Sequence, residues 1–296
     1  MKLAHFVICF LITFSAGDSE RYSPVRKVDE SSSKCLCGIS EQVPNTSRII
    51  GGSPVTESSE YSWHAMIRRR FKFICNGALI SQRYVVTVAS CFYSKAGKLY
   101  PNYLLNVGVG ITKLFNNKLR DPSFIGVQEI VIHSQYKPKS FKYNIYYNIA
   151  LVKLKNPVKD NQIPLCLPLH YTSKDYLGQT ATVTGWGKSH PQGPTHNVLQ
   201  EVTLKIQKKC YSSFQESETS PVDSIICTSK NPNKNVCMGD KGNPMMVDKK
   251  HEKILVGLFI LDKDCRFSEA KFTSVSFYLN WILQNVNEDS ECFNIL

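Results

Sequence analysis

Past its first segment the chain has no long apolar run. Nothing after residue 14 approaches the roughly 20 consecutive apolar residues of a membrane-crossing helix, which removes a transmembrane reading of the later sequence. Acid is scarce: 24 Asp and Glu stand against 36 Lys and Arg, a formal charge of +12. That balance argues against cationic partners and favours acidic ones, such as sulfated glycans, anionic membrane surfaces or acidic protein segments. Paired cysteines at zinc spacing are missing too. The one close pair, Cys35-Leu36-Cys37, lacks the usual two-residue spacer and has no second pair nearby, so neither metal nor cofactor is expected. Internal repeats and low-complexity tracts are absent, which removes repeat architectures. The final residues, Glu291 to Leu296, offer no lipid-anchor tail.

What is present points to the secretory route. Lys2, an apolar run from Phe6 to Phe14 and the small residues Ser15-Ala16-Gly17 predict a signal peptide over 1–17. Its removal takes away Cys9 and leaves Cys35, Cys37, Cys75, Cys91, Cys166, Cys210, Cys227, Cys237, Cys265 and Cys292, an even set suited to disulfides. Asn45-Thr46-Ser47 is a glycosylation acceptor in keeping with that context. A secreted, extracellular location follows, and with it no nucleic-acid partner.

Residues 18–48 are polar and rich in Ser and charge, a propeptide or light chain rather than a domain. From Ile49 onward short β-branched and aromatic runs alternate with turn residues: Phe73 to Ile80, Tyr84 to Ala89, Ile125 to Ile132, Ile149 to Leu154, Thr180 to Thr184, Ile254 to Ile260 and Phe272 to Val275. Many short strands predict an all-β sandwich or barrel. Near the end, Val275, Leu279, Ile282 and Val286 recur at spacings of three and four, the stripe of one helix.

Five segments resemble the trypsin-like (chymotrypsin-fold) serine proteases, from Arg48 to roughly Val286. Arg48-Ile49-Ile50-Gly51-Gly52 resembles a zymogen activation site, and Tyr84 to Cys91 the segment of the catalytic histidine. Asn148-Ile149-Ala150-Leu151 resembles the segment of the catalytic aspartate, Thr184-Gly185-Trp186-Gly187 a family turn, and Cys237 to Pro244 the nucleophile loop. The resemblance implies two packed antiparallel six-stranded β-barrels closed by a C-terminal helix, with the homology domain over 49–287 and a tail over 288–296. It implies the disulfides Cys75–Cys91, Cys210–Cys227 and Cys237–Cys265, and a propeptide tether from Cys166 to Cys35 or Cys37. Ala181 and Val247 stand where one further family bridge would be. Cys292 and the leftover one of Cys35 and Cys37 pair with each other or with another chain.

Against the family pattern, the site is degenerate. A serine protease needs an attacking hydroxyl, an imidazole to take its proton and a carboxylate to orient that imidazole. Ser90 stands in place of the histidine, Asn148 of the aspartate and Lys241 of the serine. Loss of one member can leave roughly 10³ to 10⁴ of acceleration over water, whereas loss of all three costs on the order of 10⁶ in turnover. A Ser90–Lys241 dyad is disfavoured, because the oxyanion-hole amides of Gly239 and Lys241 serve an attack from residue 241, not 90. His64, His133, His170, His190, His196 and His251 are read as structural or solvated. In the specificity pocket Asn235 replaces an aspartate, Ile260-Leu261-Asp262 replaces Ser-Trp-Gly and Ala270 replaces a glycine, while Asn243 replaces a glycine of the nucleophile loop.

The activation apparatus remains legible: a cut after Arg48 frees the amino group of Ile49, and Asp240 is the residue that receives it in active relatives. This is either a switch for a binding surface or inheritance without use. A glycan on Asn45 is placed to hinder that cut. Arg68-Arg69-Arg70-Phe71-Lys72 falls in a loop that several relatives use as a cationic exosite, and is read as a patch for an acidic partner; Lys249 to Lys253 is read as a hairpin tip. The function expected is therefore that of a secreted, non-catalytic serine protease homologue that binds a protein or acidic glycan. The alternatives are an unconventional serine-type endopeptidase and a disulfide-linked structural or adhesion protein, with Cys292 joining chains.

Overall fold

Short strands are the main regular structure of the residues that the computed structural model describes, namely 36–40, 53–55, 57–114, 123–138, 145–188, 195–207, 210, 221–229, 236, 239–260 and 269–286. They lie in one compact unit, Lys34–Leu296. In chain order the strands are β1 (Ser53–Pro54), β2 (His64–Arg69), β3 (Lys72–Leu79), β4 (Tyr84–Thr87), β5 (Leu105–Val109), β6 (Phe124–Ile132), β7 (Ala150–Leu154), β8 (Thr180–Gly185), β9 (Gln200–Lys205), β10 (Ile225–Cys227), β11 (Pro244–Lys249), β12 (Glu252–Phe259) and β13 (Lys271–Ser274). One α-helix, α1, follows at Leu279–Asn285.

The first half closes into a six-stranded antiparallel barrel in the order β2-β3-β4-β7-β6-β5. In it β4 pairs with β7, Val85 against Val152 and Val86 against Leu151. All four residues are buried, as strands with both faces covered would be. The second half is a sheet in the order β1-β9-β8-β11-β12-β13-β10. Six of these strands curl into a barrel whose seam is a single antiparallel bridge, Ile206 to Thr228. Hydrogen bonds from Gln207 N to the Cys227 oxygen (2.9 Å) and from Ser229 N to the Lys205 oxygen (2.8 Å) flank it. β1 adds a seventh strand outside that ring by pairing with β9.

Two sequence expectations shift. The run Tyr84 to Ala89 stops as a strand at Thr87, and Ala89–Phe92 forms a 3-10 turn. The cause is the bridge from Cys91 back to Cys75 on β3, which pulls the chain out of the sheet. The apolar stripe from Val275 to Val286 is helical only over Leu279–Asn285. Val275 still belongs to the exit from β13, its N–H donating to the Val256 oxygen (3.1 Å), and it is buried there like Ile282 and Val286.

Aromatic packing docks α1 on the first barrel. His133 stacks on Tyr147 at 5.1 Å and lies 5.4 Å from Trp281 and 5.5 Å from Tyr278. The Tyr278 hydroxyl accepts from Tyr147 N at 2.7 Å, and burial pushes its own pKa up to about 12. Between the two halves, fully buried Trp63 donates its indole N–H to Met246 Sδ (3.2 Å).

Three disulfides join described residues: Cys37–Cys166, Cys75–Cys91 and Cys210–Cys227. The first decides between the two propeptide cysteines. Beside it Gly38, at φ +64°, seats its backbone on the second half, donating to the Pro164 oxygen (2.7 Å) and accepting from Lys253 N (2.9 Å). A Cβ there would lie 2.4 Å from the Lys253 oxygen, so only glycine fits. Cys35, Cys237, Cys265 and Cys292 lie outside the described residues, as do the signal peptide, Asn45, Arg48 and Ile49.

Candidate active site

The nucleophile-loop segment is a tight turn held from three sides. Asn243 N donates to the Asp240 oxygen (2.8 Å), closing the turn Asp240-Lys241-Gly242-Asn243 with Gly242 at φ +83° in third place. This is the arrangement of a type II turn, which requires positive φ at that place. A Cβ on Gly242 would stand 2.1 Å from the Asn76 oxygen and 2.6 Å from Thr87 Oγ1, so the loop lies directly against the first barrel. Asn243 itself keeps a negative φ, so the backbone there does not require glycine.

Asp240 is buried. Its Oδ1 accepts from Gly187 N (2.8 Å) and from Asn243 Nδ2 (2.6 Å). A Cβ on Gly185 or Gly187 would come within 2.3 Å of that carboxylate, which explains why the Thr184-Gly185-Trp186-Gly187 turn carries glycine on both sides of its tryptophan. The amide of Asn243, read in the sequence only as a lost glycine, is thus a partner of Asp240.

Ser90 and Asn148 meet. Ser90 N donates to Asn148 Oδ1 (2.9 Å), and Asn148 Nδ2 donates to Ser90 Oγ at 3.4 Å. Asn148 is buried, and its backbone oxygen accepts from Thr273 Oγ1 (3.0 Å). The hydroxyl of Tyr136, whose pKa burial pushes up to about 12, neighbours that of Ser90. Neither neighbour of Ser90 is a base near neutral pH: a side-chain amide holds no proton-accepting nitrogen, and that phenol stays protonated. Lys241 is withdrawn from water, and burial lowers its pKa. Among the described residues its ammonium has no hydrogen-bond or ion-pair partner, and no bond joins it to Ser90.

A buried polar chain that sequence reasoning missed locks this loop to the first barrel. His64 Nδ1 lies 2.8 Å from Thr184 Oγ1, and its Nε2 lies 3.3 Å from Asn76 Oδ1. Asn76 Nδ2 donates onward to the oxygens of Gly239 (3.0 Å) and Lys241 (3.2 Å), while Asn76 N donates to the same Lys241 oxygen (2.8 Å). Burial pushes the His64 pKa down to about 4. The available signal was one amide inside the otherwise apolar run Phe73 to Ile80.

Of the pocket residues, Ile260 and Ala270 are buried on neighbouring strand ends, Ile260 N donating to the Lys271 oxygen (3.0 Å) and the Ala270 oxygen accepting from Thr228 N (3.0 Å). Asn235, Leu261 and Asp262 fall outside the described residues. The basic run is divided. Arg68 is only 7% exposed, its guanidinium 3.1 Å from the centre of the Phe124 ring and its Nε donating to Asn106 Oδ1 at 2.7 Å. Arg69 covers the Tyr100 ring at 4.0 Å. Arg70 and Lys72 are exposed at the β2–β3 hairpin tip, beside Phe71, which is 55% exposed. Lys250 and His251 form the matching tip between β11 and β12. Among the described residues no helix is long and apolar enough to cross a membrane, and no three His, Cys, Asp or Glu are grouped to hold a metal ion.

Comparison with known proteins agrees with this geometry. A family profile described as Trypsin matches residues 49–282. The chain is similar to coagulation factor XI of Bos taurus, 31% identical over 249 residues, which cover 80% of this chain and 37% of that protein. It is similar to the venom peptide isomerase heavy chain of Agelenopsis aperta, 30% identical over 258 residues, covering 80% of this chain and 100% of that one. It also resembles ovochymase-2 of Mus musculus, 28% identical over 310 residues, covering 95% of this chain and 48% of that protein. This chain thus spans less than half the length of two of these relatives and all of the third. Since the matched stretch contains both barrels and the cleft between them, the chain belongs to the trypsin-like family of serine proteases.

Proposed function

We propose that this is a secreted, non-catalytic member of its family that acts by binding an acidic protein segment or sulfated glycan. One observation carries the reading. The hydroxyl in the place of the family's histidine, on Ser90, is bonded to the Asn148 amide, and among the described residues no hydrogen-bond partner of it is a base. Lys241, in the place of the nucleophile, has no base either, and its ammonium is not an acyl acceptor while protonated. The lowered pKa of Lys241 is what a Ser–Lys dyad would use, but its nitrogen and the Ser90 hydroxyl are not bonded to each other. After cleavage at Arg48, the protein should hydrolyse no member of a broad peptide library beyond the level of a Lys241→Ala control; turnover that the control lacks would falsify the reading.

The binding face we assign is the β2–β3 hairpin tip. Arg70, Lys72 and exposed Phe71 present charge and an aromatic ring together, and the net charge of +12 supports the same sign of partner. Arg70→Ala with Lys72→Ala should lower the salt needed to elute the protein from heparin and flatten that salt dependence. Unchanged retention would remove the glycan partner.

A further inference from the structure

Lys241 occupies the second place of its turn, and the peptide before it fixes a direction. The Asp240 oxygen points into the turn towards Asn243 N. In a planar trans peptide the N–H of Lys241 must then point the opposite way, out of the turn. Among the described residues neither that N–H nor the N–H of Gly239 has an acceptor, and the Lys241 ammonium has no partner. Both carbonyls that would oppose an anion, those of Gly239 and Lys241, are occupied by Asn76. The neighbouring carboxylate of Asp240 faces Gly187 and Asn243 instead. The loop therefore presents donors and a partly buried cation, with its acceptors turned inward. Such a set is incomplete without an anion, since a cation withdrawn from water is costly until paired.

We propose that the degenerate centre of this protein is a carboxylate-binding site, in which a ligand carboxylate lies against the outward N–H of Lys241 and pairs with the Lys241 ammonium. A carboxylate has two acceptor oxygens, one for the amide and one for the ammonium. Its source is either the C-terminus of a peptide or an acidic side chain laid in the cleft. No bond is made or broken; the site holds its ligand. This inference rests on the non-catalytic reading of the same centre.

Acetate is the first probe, titrated into the full secreted chain while the backbone amide resonances of Gly239 and Lys241 are followed. Saturable shifts at Lys241 are expected, and they should vanish in Lys241→Met, which keeps the side chain's length without its charge. Absence of saturable shifts in the parent overturns the proposal without recourse to any variant, as do shifts that persist in Lys241→Met. A short peptide with a free C-terminus, its C-terminal amide, and an amidated peptide with an internal Asp then identify the source. At least one of the two acids should bind about tenfold more tightly than the neutral amide, whereas equal binding of all three contradicts the assignment. Peptide hydrolysis in the same samples would overturn the non-catalytic reading separately, because the acetate shifts do not depend on turnover.

Discussion

At the scale of single residues, the site is organised by groups that do no chemistry. His64 is fully buried between Thr184 and Asn76 and stays neutral because burial holds its pKa near 4. An unfolded chain binds that proton at about pH 6.5, so the native state binds fewer protons between those two values. Stability is then fully present above pH 6.5 and declines as the pH falls towards 4, by up to about 3 kcal/mol. Chemical denaturation across that range should show the decline, and His64→Gln should reduce the slope. Arg68 makes a comparable point about charge. Its guanidinium stacks on Phe124 and bonds Asn106, so Arg68→Ala should cost about 1 to 2 kcal/mol of stability and leave heparin elution nearly unchanged. Arg70→Ala should do the reverse. Single polar residues inside strands were the least legible part of the sequence. Nothing in the local pattern distinguishes an Asn76 that bridges two halves of a molecule from one that faces solvent, since the acceptors of its amide, on Gly239 and Lys241, lie more than a hundred positions away.

Among elements, legibility followed β-branched content. β4 and β7 are nearly all Val, Leu, Ala and Thr with both faces covered, and they stood out as strands. β2, His-Ala-Met-Ile-Arg-Arg, and β9, Gln-Glu-Val-Thr-Leu-Lys, carry ordinary helix-compatible residues and are strands only because neighbours pair with them on both edges. The seam from Ile206 to Thr228 was illegible for the same reason: closure of a barrel is set by tertiary pairing, not by local preference. The nucleophile loop was legible in place but not in mechanism. Its Gly242 serves both a positive φ and an approach to the Asn76 oxygen that leaves no room for a methyl group. Gly242→Ala should cost more than about 2 kcal/mol and separate the loop from the first barrel. Thermal unfolding would check this, with Gly178→Ala as a comparison at positive φ but with open space around the added methyl.

At the scale of the whole molecule, the chain keeps its family's architecture and brings Ser90 to Asn148, and on our proposal the chemical groups of the reaction are replaced. The resemblance in sequence assigns Ser90, Asn148 and Lys241 to the triad positions through a register of cysteines and glycine turns; the directions of Lys241 and its neighbours depend on the turn and were not legible. The Cys37–Cys166 bridge ties the segment before Arg48 to the second half of the molecule. If Arg48 is cut, both pieces should migrate together without reductant and separate with it, and Cys37→Ser should release the smaller piece under both conditions unless Cys35 takes over. The central claim concerns turnover, and the rate of peptide-bond hydrolysis by the cleaved protein tests it most directly, measured at micromolar protein on a broad library beside Ser90→Ala and Lys241→Ala. The account predicts that all three are indistinguishable from buffer. A rate above buffer that disappears in either variant contradicts it and makes the replaced residues catalytic.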